Sequence, residues 1–442
     1  MGGSATRLIV IDEKAHACES RRRSCNTASM RSTVTPSTTA FFALLALTCF
    51  YCAVECLGVP PLARSPDPAS VVFSSGVDGY AVYRIPSIVR VNARNGPARL
   101  LAFAEGRNSL NDNGENDLVI KSSIDSGVHW SALKLVCDMP TRSLNNPCAV
   151  VLRDGPHGGR VLLMFQSYPI GCSENCVEIG FDGEKVCRTF TTHSDDCGES
   201  WSTPKEVTRQ VKRAERATSV ATGPGIGIQL RRGAHRGRII MPFNEGPAGK
   251  WCVYAAFSDD DGETWNIGEP APDGDGTSSG KGVANEVQMF QRLDGAIVLN
   301  ARQFYGAARR KTALSTDGGA TFSTLTDIAD LPDPSCMGGM VALTDPNDAE
   351  ASTAPNMSVV FSGCDSETRR ANGALWISTD GGKTWPQKIS LEPAGFAYSV
   401  PVALSPTEVG VLYETAGYKQ IVFTKVSVPE TENGKGQASR AE

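Results

Sequence analysis

The chain has 442 residues, of which 40% are hydrophobic and 21% charged, with a formal net charge of −5. That length holds about two or three average domains or one large all-β unit. The acidic balance and the lack of a strong basic cluster exclude a nucleic-acid-binding face. The first 40 residues are polar and net basic, with Arg21-Arg22-Arg23 as the densest run. Phe41 to Val54 is then apolar or nearly so, stops at Glu55, and adds only Leu57 to Val59. This is short for a membrane span and fits the apolar core of a signal peptide. Translation from Met30 gives ordinary signal-peptide proportions. From Met1, the segment 41–59 reads instead as an uncleaved anchor with its basic side in the cytosol. Either way residues 1–66 form a leader, and the remainder is expected outside the cytoplasm, secreted or membrane-anchored.

From about 67 to 427, short β-type runs alternate with Gly, Asp, Asn and Pro. Examples are Arg99 to Phe103, Gly159 to Phe165, Arg238 to Pro242 and Ser358 to Phe361. Helical periodicity is absent, apart from a turn or two near Lys205 to Arg216. Five times this region repeats Ser-x-Asp-x-Gly-x-x-aromatic: Ser123 to Trp130, Ser194 to Trp201, Ser258 to Trp265, Ser315 to Phe322 and Ser378 to Trp385. Successive box aspartates lie between 57 and 71 residues apart. Each box is read as a turn staple. Asp accepts from backbone N–H groups a few residues on, Gly supplies φ > 0, and Ser or Thr adds side-chain bonds. The closing ring anchors the turn between sheets. A calcium site is rejected, because the further acidic ligands of such loops are missing. Many short strands with a fixed repeat point to an all-β, six-bladed β-propeller of four-stranded antiparallel blades, five with boxes and one degenerate. A sandwich leaves the repeat unexplained. Residues 428–442 read as a polar disordered tail.

Nine of the 14 cysteines follow residue 130, and Cys172, Cys176, Cys187 and Cys197 crowd together. In an exported chain such a cluster reads as local disulfides, with a zinc site as the rival; nine is odd, so at least one thiol is left over. Asn356-Met357-Ser358 is a glycosylation sequon. Three arginines sit in or beside apolar runs: Arg84 in Tyr83-Arg84-Ile85-Pro86, Arg302 after Leu299, and Arg370 in Arg369-Arg370-Ala371-Asn372. Singly, each reads as a surface or salt-bridged side chain. Together in a propeller they can converge on one pocket, where three guanidiniums bind a carboxylate through charge-assisted forks.

With Tyr83-Arg84-Ile85-Pro86 and the five boxes in order, the chain resembles the exo-α-sialidases (neuraminidases) of the secreted bacterial and protist type. The resemblance spans essentially residues 70 to 427. Also similar are Leu100 to Arg107, Thr222 to Gly225, Asn285-Glu286, Ala397 to Ser399 and Leu412 to Glu414. It implies that Arg84, Arg302 and Arg370 grip the substrate carboxylate, with Arg370 favoured over Arg369. Tyr398 is implied as nucleophile, Glu286 as its base, and Asp112 as general acid/base, with Glu115 and Asp117 as near rivals. Glu414 is implied to hold Arg84, and Glu105 and Arg107 to line the pocket near a ring hydroxyl.

Sialic acid carries its carboxylate on the anomeric carbon, so a neutral tyrosine avoids the repulsion an anionic nucleophile would meet. With a pKa of about 10, free tyrosine needs a neighbouring base to take its proton. Asp112 must be protonated for one step and ionised for the next, and a raised pKa is expected to serve both. Retention of configuration follows from the double displacement. The implied activity is release of terminal sialic acid from glycoproteins, glycolipids or oligosaccharides, with no cofactor and no metal. Transfer of the sugar, hydrolysis of a related nonulosonic acid, or a sialic-acid-binding lectin are the alternatives. Departures are Met337 after Cys336, in place of a polar rim residue, His129 at the Thr position of the first box, and Phe322 closing the fourth. No separate carbohydrate-binding module is expected.

Overall fold

The computed structural model describes residues 66–92, 96–273, 283–343 and 357–429. The readings of the 41–59 segment, Met30, Asn356 and the tail from 430 lie outside them. Strand β1 (Ser70–Ser74) joins the far end of the chain, as described below. A four-stranded antiparallel sheet follows from β2 (Val82–Val91), β3 (Arg99–Arg107), β4 (Asn116–Ser123) and β5 (Lys134–Cys137). The next contains β6 (Arg142–Val151), β7 (Val161–Pro169), β8 (Arg188–Ser194) and β9 (Lys205–Glu206), and leads into a one-turn helix α1 (Thr208–Val211). Three short strands then weave between sheets: β10 (Val220–Thr222), β11 (Gly225–Ile226) and β12 (Ile228–Gln229). β10 and β12 pair with β13 (Ile239–Glu245), which continues into β14 (Cys252–Ser258) and β15 (Asn266–Ile267). β11 crosses to pair with β6, in parallel, as a fifth strand of that sheet.

A fourth sheet comprises β16 (Val283–Gln291), β17 (Ile297–Phe304), β18 (Arg309–Ser315) and β19 (Thr326–Pro332). The last sheet has seven strands. β20 (Gly339–Ala342), β21 (Val359–Cys364) and β22 (Ala371–Ser378) pair in sequence up to the 19-residue β23 (Gln387–Ser405). The N-terminal part of β23 pairs with β22. From Phe396 onward it pairs with β24 (Glu408–Thr415), followed by β25 (Gln420–Ser427) and finally β1. The protein is thus nearly all β. Among the described residues, no helix is long and apolar enough to cross a membrane.

The central strands of the sheets are largely buried because both of their faces are covered. Val161 to Tyr168 in β7 is buried throughout, whereas β9 at the sheet's edge is exposed. Each buried Val, Leu, Ile or Phe contributes about 1.5–3 kcal/mol. The first and last sheets share one core that includes Phe73, Ile88, Leu100, Val400 and Phe423.

All five boxes close the same turn, between the third and fourth strands of a sheet or of its half of the seven-stranded one. In the first, Ser123 Oγ donates to Asp125 Oδ1 (2.8 Å) and accepts from Gly127 N–H (2.9 Å), while His129 N–H donates to Asp125 Oδ1 (3.0 Å). His129 Nδ1 lies 2.7 Å from Asp125 Oδ2, where Thr264, Thr321 and Thr384 place a hydroxyl in other copies. The box glycines (φ +82° to +93°) also allow close packing on a neighbouring sheet. A Cβ on Gly127 would lie 2.1 Å from Phe423, and one on Gly262 2.9 Å from Leu162.

The cysteine cluster resolves differently from the expectation of several disulfides. Cys172 and Cys176 are bonded, whereas Cys187 and Cys197 are free thiols. Cys187, just before β8, is buried in a hydrophobic core, with its Sγ 3.4 Å from the Val220 carbonyl. Among the described residues no cluster of His, Cys, Asp or Glu has the arrangement of a metal site.

Candidate active site

Site residues fall at four of the register irregularities in the sheets. These breaks lie between Arg84 and Ser87 in β2, Asn145 and Cys148 in β6, Ala284 and Val287 in β16, and Phe396 and Ser399 in β23. A bulge of this kind turns a side chain off the regular alternation. Ile85 (φ +57°) and Asn146 (φ +55°) adopt left-handed backbone at two of them. For a β-branched residue such as Ile85 this is costly. It is held by Glu414, whose Oε1 accepts the Ile85 N–H (2.9 Å).

Glu414 is fully buried and serves four donors. Arg84 Nε (2.7 Å) and Nη2 (3.3 Å) reach its two oxygens, and the Tyr398 N–H donates to Oε2 (3.2 Å). One carboxylate therefore fixes Arg84 and the backbone of Tyr398 together. Burial opposes the charge on Arg84, but Glu414 outweighs it and holds the guanidinium's pKa above its ordinary value.

The Tyr398 hydroxyl donates to Glu286 Oε1 and accepts from Arg302 Nη1 (2.9 Å), and Arg302 Nη1 also donates to Glu286 Oε2 (2.6 Å). All three side chains are buried. Burial pushes the Tyr398 pKa well above that of a free phenol and Glu286 adds to this, while Arg302, Arg370 and Arg84 pull the other way. The phenol is thus neutral at rest, with a proton acceptor attached and three cations placed to stabilise its anion. Arg370 stands on another side of the same ring. Its guanidinium carbon is 5.3 Å from the Tyr398 ring centroid, and that of Arg84 is 5.4 Å away. Neighbouring Arg369 is exposed, so Arg370 is the one of the pair that faces the site.

Asp112 sits on the loop between β3 and β4 with its side chain 72% exposed. Arg107 Nη1 donates to its Oδ1 (2.7 Å), and Arg84 Nη1 lies 3.9 Å away. Its pKa is not raised as the sequence led us to expect. Partial shielding favours the neutral acid, but Arg107 first, then Arg84 and Arg370, hold the carboxyl below its ordinary value. Of the rivals, Glu115 accepts from Asn108 Nδ2 and Asp117 from the Tyr80 hydroxyl, away from the arginines. Arg107 and Glu105 are both enclosed. Glu105 accepts from Arg107 Nε (2.7 Å) and from the Asn146 N–H (2.7 Å), and burial pushes its pKa up against the pull of Arg107. They stand behind Asp112 and aim it, rather than presenting free groups to the pocket.

Sequence reasoning missed several participants. Tyr418 packs its ring 4.0 Å from the Arg84 guanidinium carbon and accepts from Arg370 Nη1 (3.1 Å). Its only sequence signal is its position four residues after Glu414. Asn145 holds the Asp112 carbonyl (2.7 Å), and Ser335 offers its carbonyl to Arg370 Nη2 (3.1 Å). Glu174, between the two bonded cysteines, accepts from Trp251 Nε1 (3.0 Å). Met337 is buried, with 1% of its surface exposed, and so forms no part of an outer rim. A separate cavity of about 380 Å³ is lined by Ile88, Met289, Met340 and Val402. Its lining is mixed, with Arg90, Gln229 and Gln291 beside the apolar side chains, and it contains none of these site residues.

The fold and this cluster define a class, a β-sheet protein with a tyrosine, a glutamate and three arginines at one centre, and comparison with known proteins agrees. Residues 98–411 match the family model of a BNR repeat-like domain. A sialidase of Micromonospora viridifaciens is 29% identical over 355 residues, covering 77% of this chain and 51% of that protein. Sialidase-3 of Mus musculus is 30% identical over 307 residues, covering 64% of this chain and 67% of that protein. The solved structure of a Hadza microbial sialidase superposes with a TM-score of 0.68 at 24% identity, over 81% of this chain and 68% of that one. The chain belongs to the sialidase family with BNR repeats. It spans about half of the length of the Micromonospora relative.

Proposed function

We propose that this chain is a retaining exo-α-sialidase that releases terminal sialic acid from glycoconjugates. The observation that carries the reading is the buried Tyr398 hydroxyl donating to Glu286 inside a ring of Arg84, Arg302 and Arg370. In this reading the three guanidiniums bind the substrate carboxylate and set the anomeric carbon over the phenol. Tyr398 attacks that carbon as Glu286 takes its proton, and Asp112 gives its proton to the departing glycosidic oxygen. The aglycone leaves as an alcohol, and a glycosyl-tyrosine remains. Asp112, now ionised, takes a proton from water, whose oxygen attacks the same carbon from the opened side. Tyr398 leaves and recovers its proton from Glu286, so configuration is retained. The low resting pKa of Asp112 fits if substrate reverses it. A bound carboxylate cancels part of the arginines' field and displaces water, and both favour the protonated acid.

The same reading makes the fold a six-bladed propeller of four-stranded blades. The seven-stranded sheet then divides within β23 into two blades, the last completed by β1 from the N-terminal side. Contact between the first box and Phe423 of β25 supports closure between the first and last blades. The Cys172–Cys176 disulfide supports a location outside the cytoplasm.

The test is release of methylumbelliferone from its α-sialoside, with Tyr398→Phe losing at least about a hundredfold in kcat. A fluorinated sialosyl fluoride should trap a covalent adduct on the Tyr398 peptide. Folded wild-type protein with no release between about pH 4 and 8, where carboxylates and histidine titrate, would sink the proposal.

A further inference from the structure

Arg310 and Asp333 form an ion pair that the catalytic scheme does not use, and both side chains are almost wholly enclosed (1% and 0% exposed). Arg310 Nε donates to Asn300 Oδ1 (2.7 Å), and its Nη1 to Asp333 Oδ2 (3.3 Å) and to the Cys336 carbonyl (2.9 Å). A buried pair of this kind gains little stability over apolar side chains of the same size, because desolvating two charges offsets their attraction. What it does supply is fixed geometry, and here that geometry leads to two of the three arginines.

Asp333 Oδ2 also accepts the Gln303 N–H (2.8 Å), and its Oδ1 accepts the Cys336 N–H (2.9 Å). Ser335, between them at φ +59°, donates its hydroxyl to the Gln303 carbonyl (2.7 Å). Both backbone polar groups of Gln303, the residue after Arg302, are thereby tied to the 333–336 loop. The same loop presents the Ser335 carbonyl to Arg370 Nη2. Arg84 is outside this network, anchored by Glu414 on different strands.

We propose that Arg310 and Asp333 are positioning residues that set the spacing of Arg302 and Arg370 and so determine how tightly the site grips a carboxylate. The inference rests on the sialidase reading above. A fork of two charge-assisted bonds tolerates little displacement, and a shift of about 1 Å at a site of this kind costs up to about a hundredfold.

The experiment compares two probes by calorimetry: the unsaturated glycal analogue of sialic acid with its carboxylate, and the same compound as the neutral carboxamide. The ratio of their affinities reads the carboxylate grip directly, and a purely structural defect leaves it unchanged. Asp333→Asn should shrink the wild-type preference for the acid by about tenfold or more, chiefly through weaker acid binding, and raise KM more than it lowers kcat. Ser335→Ala, at a partly exposed position, should shift the ratio less and in the same direction. Folded Asp333→Asn protein with the wild-type ratio overturns the proposal, whatever its melting temperature. Should Asp333→Asn fail to fold, an unchanged ratio in Ser335→Ala overturns it equally. Wild-type protein that does not prefer the acid overturns the sialidase reading, and this inference with it.

Discussion

Replacing Glu414 with Gln tests the central claim that one buried carboxylate organises both an arginine and the tyrosine. The substitution keeps size and one acceptor oxygen, so the N–H groups of Ile85 and Tyr398 can still be partly served. It removes the charge opposite Arg84, whose side chain is 8% exposed. Breaking a buried pair from one side costs about 3–5 kcal/mol, because the remaining charge is stranded out of water. Urea unfolding at neutral pH should show that loss as a lower midpoint with an unchanged slope. Adding Arg84→Met removes the stranded charge, so the double variant should regain about half of the lost stability. Its sialosidase activity should not return, since the arginine itself is gone. A Glu414→Gln cost below about 1 kcal/mol, typical of an exposed pair, would refute the reasoning. So would a double variant no more stable than the single one.

Arg107, Arg84 and Arg370 hold the Asp112 pKa below its ordinary value in the free protein, so a proton must be taken up for it to act as an acid. kcat/KM should therefore fall with rising pH earlier than kcat, whose basic limb reports the substrate complex; coincident limbs would contradict this. Gly223→Ala should cost about 3 kcal/mol or more and most activity, seen in parallel melting and rate measurements. Its Cβ would lie 1.6 Å from the carbonyl oxygen of Val287, next to Glu286, and backbone on both sides cannot yield. Cys176→Ser should lower stability by about 2 kcal/mol, as expected for a short closed loop. Reductant should reproduce the shift in wild-type protein and leave the variant unaffected.

The turn staples were legible because every bond in them is local. Ser, Asp and Gly of a box bond within about five residues, so a pattern in the sequence is already a pattern in space, and even His129 keeps the role of the threonine it replaces. The short apolar runs identified as strands overlap β3, β7, β13 and β21, three of them starting one or two residues early, for the same reason. What local pattern did not convey is which sheet a strand joins. β11 crosses to the neighbouring sheet at Thr222 to Gly225, and β23 runs unbroken through what sequence spacing divides. Likewise, four crowded cysteines suggested more disulfides than the one that forms. Proximity in sequence did not stop Cys187 from being drawn into a core.

The sequence by itself determined the frame and the inventory: a repeated turn, apolar strands, and arginine, tyrosine, glutamate and aspartate residues matched by resemblance to a family. Only the tertiary structure decided what those residues experience. Tyr398 and Glu286 are 112 positions apart, and their hydrogen bond exists because bulges in β16 and β23 turn both toward one point. The charge state of Asp112 is set by the summed fields of arginines at 84, 107 and 370, whose distances no linear spacing encodes. Tyr418, Asp333 and Ser335 carry no motif at all. Their roles come from which side chains they touch, and long-range contacts of that kind depend on the register and packing of whole sheets.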